Sequence, residues 1–258
     1  MTASLLDRMD LSGRVALVTG GAGHLGRAVA ADLAALGARV VIADCNGAED
    51  AAAALGSGHL GRTVDLEDEA QVIQLVDGLE RLDIIVAAAA FVGTSGLEGW
   101  AVPFARQSVA TWRRAMEVNL TSVFSLIQKA APLLETSGKG SVVLVSSIYG
   151  GLGPQWALYE GTSLGNPAAY AASKGGLEQL CRWLATTLAP KVRVNAIRLG
   201  GIERGQDAQF IERYCERTPL GRMAREEDVT GAVAYLASDV SAYVTGTVLA
   251  VDGGWSAW

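Results

Sequence analysis

An α/β fold, with a doubly wound parallel sheet covered by helices on both faces, is the architecture this sequence predicts, and three observations predict it. Short apolar runs recur along the chain and alternate with longer stretches of helical spacing, the pattern of strands joined by crossover helices. The first such run leads directly into a glycine-rich turn. No linker or break in composition divides the 258 residues, half of which are hydrophobic, so one domain over residues 1–258 with a substantial core is expected.

Taken in order, residues 14–19 form the first expected strand, and Gly20-Gly21-Ala22-Gly23-His24-Leu25-Gly26 follows it. Apolar helical spacing then runs over about residues 25–36. Gly21, Gly23 and Gly26 fit G-x-G-x-x-G in its required context, after a strand and before a helix. Glycines there permit a tight turn and close backbone approach, and the helix N-terminus offers N–H groups to a pyrophosphate. The second strand, residues 39–43, ends at Asp44, eighteen residues beyond Gly26. That is where an acidic side chain meets adenosine ribose hydroxyls. Further strands are expected near residues 60–64, 83–88, 141–146, 192–197 and 248–251, and helices over 67–79, 111–134, 168–188 and 226–237. A Rossmann-like sheet of this kind takes its ligand at the carboxyl ends of the strands, where Thr19, Asp44, Asp65, Ala89 and Ser147 fall.

Tyr170 and Lys174 lie four residues apart at the start of the helix expected over 168–188, so they share a face. A cation beside the phenol favours phenolate and turns tyrosine into a general acid/base. Tyr-x-x-x-Lys alone reads more readily as an exposed aromatic beside a solvated lysine; the glycine turn and Asp44 give it weight.

Together these residues resemble the short-chain dehydrogenase/reductase family over nearly the whole chain. The resemblance implies a cofactor loop from Thr19 to Gly26, including Gly20, Gly21, Gly23, His24 and Leu25. It implies cofactor contacts at Asp65 and Leu66 near adenine, at Ala89, and at Gly200 and Ile202 beside the nicotinamide. It implies a catalytic set of Asn119, Ser147, Tyr170 and Lys174: Tyr170 exchanges the proton, Ser147 bonds the substrate oxygen, Lys174 lowers the Tyr170 pKa and holds the nicotinamide ribose, and Asn119 organises a water route. Taken singly, Asn119 also reads as a helix residue with a structural hydrogen bond, and Ser146 and Ser147 as strand-end turn serines. The segments around residues 91–95, 159–167, 213–223 and 251–258 resemble, more narrowly, a bacterial subgroup associated with flagellin modification and sugar biosynthesis.

Asp44 accepts from ribose hydroxyls but repels a 2′-phosphate, and Cys45-Asn46 supplies no compensating cation. Ala22 and Gly23 add no basic residue, so NAD is the expected cofactor, with Arg27 the residue most able to weaken that argument. Three positions depart from the family pattern. His24 replaces a glycine, which raises the question of an uncommon backbone conformation, and its imidazole either approaches the pyrophosphate or lies at the surface. Ala87-Ala88-Ala89-Ala90 lacks the side-chain amides that usually brace the sheet. Arg198-Leu199-Gly200-Gly201 resets the loop over the nicotinamide, and Arg198 either meets an acidic substrate or forms a structural ion pair.

Between Ser147 and Tyr170 lie 22 residues, an insertion at about 148–169 for this family. Trp156, Tyr159, Glu160 and Asn166, with Ser147 and Arg198, are the candidate substrate contacts; the aromatics suit a polyhydroxylated ligand and equally suit packing within the loop. Trp100 is a weaker candidate, and residues 201–219 are the expected lid.

A formal net charge of −6 and a pI near 5.0 give no electrostatic case for nucleic acid. Residues 1–13 lack the apolar core of a signal peptide, and no apolar run reaches membrane-span length, so a cytoplasmic protein is expected. Cys45, Cys181 and Cys215 are an odd, widely spaced set without metal-ligand spacing, and neither histidine has a partner, so reduced thiols and no metal are expected. The sequence therefore predicts an NAD-dependent oxidoreductase acting on a secondary alcohol or ketone of a small, carbohydrate-like substrate. The alternatives are a 3-oxoacyl-type reductase and a catalytically silent NAD-binding scaffold. A homotetramer is expected, from the family and from an apolar tail containing Trp255 and Trp258.

Overall fold

The seven apolar runs form the strands β1 Val15–Thr19, β2 Arg39–Asp44, β3 Leu60–Thr63, β4 Ile84–Ala87, β5 Gly140–Ser147, β6 Val192–Leu199 and β7 Val248–Val251 in a computed structural model that describes residues 3–258. All neighbouring pairs are parallel, in the order β3-β2-β1-β4-β5-β6-β7. The helices are α1 Leu5–Met9, α2 His24–Ala35, α3 Ala48–Ala54, α4 Glu69–Asp77, α5 Val109–Met116, α6 Ser122–Ser137, α7 Ala168–Thr187, α8 Ala208–Arg217 and α9 Glu227–Ala237. The strand order reverses between β1 and β4, which opens a crevice at their carboxyl ends.

Alternation along each strand divides the core. Leu17, Val41, Ile85, Val142 and Leu144 point to the face covered by α4, α6 and α7, where Val72, Leu126, Ile127, Leu177 and Cys181 meet them. Their strand neighbours Val18, Ile42, Ile84 and Val143 point to the other face, against Val29 and Leu33 of α2 and Val229 and Val233 of α9. Along the central strands β1, β2, β4 and β5 both faces are buried, which is why they read as apolar runs, whereas edge strand β3 exposes Arg62 and Thr63.

The helix expected over 111–134 is not continuous. α5 passes into a π-helical turn, Glu117–Thr121, before α6 resumes, and such turns concentrate at functional sites. The expected lid contains a helix of its own, α8, capped by Asp207, whose side chain accepts from Gln209 and Phe210 N–H. Trp255 is 2% exposed and stacks on Tyr214 within the same chain. It therefore gives no argument for assembly, contrary to the expectation for the tail; Trp258 remains 69% exposed.

Candidate active site

The glycine turn is built for close approach. Gly20 has φ +66°, and a Cβ there would lie 2.7 Å from Ala89 backbone atoms; one on Gly21 would lie 2.8 Å from the Ile42 side chain. A Cβ on Gly26 would collide with the Gly20 carbonyl, whereas Gly23 faces only that carbonyl, at 3.3 Å. Gly23 caps α2 without any side-chain hydrogen bond, leaving the first-turn N–H groups of α2 for an anion. His24 opens α2 and lies exposed, and no non-glycine residue among those described has positive φ, so the substitution of glycine by His24 requires no unusual backbone. Asp44 ends β2, and its Oδ2 accepts from Ala22 N–H at 3.0 Å, tying the acidic residue to the loop. Asp65 is exposed beside Leu66 and accepts from Glu67 N–H at 2.9 Å. A turn this narrow, an uncapped helix N-terminus and a carboxylate at the next strand end fit a dinucleotide cofactor.

Ser147 ends β5 and Tyr170 opens the first turn of α7, so the two hydroxyls meet from different elements. The Ser147 hydroxyl favours the ionised Tyr170 phenol, but burial outweighs it and raises the phenol pKa. Lys174 is 3% exposed; its Nζ lies 5.8 Å from the Tyr170 ring centroid and donates to the Val145 carbonyl at 2.7 Å. Burial lowers the Lys174 pKa to about 8. The expected depression of the Tyr170 pKa is thus outweighed, because desolvation dominates both groups. A substrate oxygen placed between Ser147 and Tyr170 has one hydroxyl to hold it and one to exchange its proton.

Asn119 sits in the π turn, 1% exposed, with its side chain fully engaged. Oδ1 accepts from Phe91 N–H at 2.8 Å; Nδ2 donates to the Phe91 carbonyl and to Ser173 Oγ, each at 3.1 Å. The amide braces the segment after β4, where Ala87 to Ala90 supply no side-chain amide of their own.

Arg198 is placed behind the site. Its Nε and Nη2 donate to the two oxygens of Glu178 at 2.8 and 2.5 Å, and Glu178 is 3% exposed. Glu178 also accepts from Ser146 Oγ at 3.0 Å. The ion pair therefore joins β5, β6 and α7 beneath Ser147 and Lys174, and of the two roles expected for Arg198 it is the structural ion pair that the fold forms. Glu178 was missed: a glutamate on a helix face gives no sign that it faces a strand arginine twenty positions later.

The insertion and α8 form one wall. Tyr149 and Tyr159 share a hydroxyl contact of 2.5 Å, and burial raises both pKa values, keeping them neutral. Asn166, 7% exposed, lies beside both hydroxyls without an aligned hydrogen bond to either. Aromatic contacts run from Trp156 to Tyr159, Phe210, Tyr214 and Trp255, with centroids 4.3 to 5.9 Å apart. Arg213 of α8 donates to the Ala157 and Glu160 carbonyls at 3.2 and 2.6 Å. Trp156 and Glu160 are exposed at the outer edge of this wall, and Trp100 is buried, donating to the Val92 carbonyl at 2.7 Å, so it is a core residue. Gly200 and Ile202 follow β6; Gly201 N–H donates to Tyr214 Oη at 2.5 Å, and Ile202 bridges to Ala224.

Fold and site together define an oxidoreductase that uses a nicotinamide cofactor on alcohol groups. A family model described as enoyl-(acyl carrier protein) reductase matches residues 20–256. Cis-4-hydroxycyclohexanecarboxylate dehydrogenase of Sinomonas cyclohexanicum is 38% identical over 257 residues, covering 95% of this chain and 97% of that protein. Among solved structures, a gluconate 5-dehydrogenase from Burkholderia cenocepacia in complex with NADP and tartrate superposes with a TM-score of 0.87 at 29% identity, covering 99% of this chain and all of that one. A short-chain dehydrogenase from Leptospira borgpetersenii with bound NAD+ superposes at 0.86 and 28%, covering 99% of this chain and 97% of that one. The chain belongs to the short-chain dehydrogenase/reductase family.

Proposed function

We propose that the protein is an NAD-dependent oxidoreductase that interconverts a secondary alcohol and a ketone on a sugar-like, hydroxylated substrate. The meeting of Ser147, Tyr170 and Lys174 at the carboxyl ends of the strands is the observation that carries this reading. The nicotinamide supplies or accepts the hydride when bound. Tyr170 Oη exchanges the proton with the substrate oxygen, and Ser147 Oγ orients that oxygen. Lys174 stands ready to turn from the Val145 carbonyl towards the nicotinamide ribose and to favour the Tyr170 phenolate as it does so. Asn119 lies in the π turn with its amide bracing Phe91, and a water route to Lys174 would run from that turn.

Asp44 supports NAD over NADP by charge. The neutral hydroxyls of Tyr149 and Tyr159 and the Asn166 amide support an uncharged, hydroxylated substrate, and Arg198 is already neutralised by Glu178. The narrower resemblance to enzymes of sugar biosynthesis points the same way. A relative named as a 3-oxoacyl-(acyl carrier protein) reductase, 34% identical, favours a second reading, reduction of a 3-oxoacyl thioester, which the neutral polar wall does not require. A cytoplasmic homotetramer completes the proposal: Val109, Trp112, Phe124 and Trp183 expose apolar surface on α5, α6 and α7.

A panel of ring diols, sugars, hydroxy acids and 3-oxoacyl thioesters, followed by NADH absorbance, tests the reading. Turnover of ring diols or sugars with NAD supports it; preference for an acyl thioester with NADPH would replace it with the second reading.

A further inference from the structure

One face of α7 carries more than Tyr170 and Lys174. Glu178 follows at the same four-residue spacing, so a phenol, an amine and a carboxylate line up along three successive turns of one helix. Each meets a different one of three consecutive residues at the end of β5. Lys174 Nζ donates to the Val145 carbonyl at 2.7 Å, Glu178 Oε1 accepts from Ser146 Oγ at 3.0 Å, and the Tyr170 phenol meets the Ser147 hydroxyl. Ser147 in turn caps the short turn Ile148–Gly150, its Oγ accepting from Tyr149 N–H at 3.3 Å. That turn lies directly on the Glu178–Arg198 ion pair. A Cβ on Gly150 would stand 2.6 Å from Ser146 Oγ and 2.8 Å from Glu178 Oε1, and one on Gly151 would collide with the Arg198 guanidinium. Arg198 is also the register partner of Ser146 across β5 and β6. The chain on both sides of Ser147 therefore rests on one buried ion pair.

We propose that Glu178 is a positioning residue for the reaction: held by Arg198, it fixes the end of β5 so that Ser147 Oγ and Tyr170 Oη converge on one substrate oxygen. Buried beneath the turn at 3% exposure, it acts through Ser147. Apolar side chains of similar volume would hold the fold as well as a buried ion pair does. A bidentate guanidinium–carboxylate pair adds direction, because its two parallel hydrogen bonds set the plane and the distance at which Ser146 is gripped. Direction matters here, since a productive site tolerates errors of about 0.5 Å and a misplacement of about 1 Å costs about 10²-fold in rate. The inference rests on the reading of Ser147 and Tyr170 as the groups that orient the substrate oxygen and exchange its proton.

Steady-state kinetics on the best substrate of the panel test it, with NADH affinity and denaturant midpoints measured on the same proteins. The variants are Glu178→Gln, the double variant Glu178→Leu with Arg198→Met, Ser147→Ala, and Ser147→Ala combined with Glu178→Gln. Glutamine keeps the shape and an acceptor for Ser146 Oγ while giving up the charge that aligns Arg198. Glu178→Gln is expected to lower kcat by about 10- to 10²-fold, with KM and NADH affinity within about twofold of the wild type. The double variant is expected to keep the low kcat although its denaturant midpoint recovers most of what Arg198→Met alone loses, which separates positioning from folding. On top of Ser147→Ala, Glu178→Gln is expected to cost less than about twofold, because the hydroxyl it places is already gone. Wild-type kcat in Glu178→Gln, a double variant that regains turnover together with stability, or the same loss with and without the Ser147 hydroxyl would overturn the assignment and leave Ser147 and Tyr170 in their roles. A wild type that turns over no member of the panel would overturn that reading and this inference together.

Discussion

Lys174 Nζ donates to the carbonyl of Val145, two positions before Ser147 on β5, at 2.7 Å, and this hydrogen bond holds the buried amino group. The folded chain binds this proton less tightly than the unfolded chain, with a pKa of about 8 against 10.5. The cost of burying the charge is therefore fully present below about pH 8 and fades as pH rises towards 10.5. Its size is of order 3 kcal/mol at neutral pH.

Lys174→Met should consequently be more stable than the wild type at neutral pH in the absence of cofactor, with a gap that shrinks between pH about 8 and about 10. Urea unfolding of both proteins across that window measures it. A gap that does not change with pH would mean that Lys174 is not the titrating group.

Removal of Arg198 leaves the Glu178 carboxylate buried without its partner. Arg198→Met is expected to destabilise the fold by about 3 kcal/mol, and adding Glu178→Leu should recover most of the loss. Denaturant midpoints of the two variants decide the matter. A single variant with wild-type stability and a raised KM would return Arg198 to the substrate.

Trp255→Ala removes the ring on which Tyr214 stacks, at a centroid distance of 4.3 Å. A loss of about 3 kcal/mol is expected, with a raised KM because Tyr214 also accepts from Gly201 N–H next to the nicotinamide loop. Unchanged substrate kinetics would separate the C-terminal segment from the site.

Sedimentation at micromolar concentration is expected to give a tetramer, and Trp112→Lys with Phe124→Lys to dissociate it, because both rings lie exposed on adjoining helices. A wild type that sediments as a monomer defeats the assembly.

The strands were legible because both faces of a parallel sheet are buried, so residues such as Val40 to Ala43 and Val142 to Val145 leave no polar interruption to misread. α2 and α7 were legible for the complementary reason, an apolar face between a glycine turn or a proline and a clear end. The π turn was not: residues 111–134 hold no glycine, and the proline among them, Pro132, lies well beyond the break, so nothing local marks where the ladder slips. α8 escaped because it buries only Phe210 and Tyr214 on an otherwise polar helix. Ser147, Tyr170 and Lys174 were legible as a motif, but Glu178–Arg198 and the stacking of Trp255 on Tyr214 are pairings between distant segments. No spacing rule carries them, and only the register of β5 against β6 and the packing of α7 and α8 bring them together.

Tyr170→Phe is the most direct test of the central claim, since it deletes the proton-exchanging hydroxyl and leaves the ring in its packing place. Parallel measurement of NADH affinity and of turnover on the best substrate of the panel should show unchanged cofactor binding and turnover reduced by about 10² to 10⁴-fold or more. Near-normal turnover in Tyr170→Phe would contradict the account and assign the proton transfer to another group.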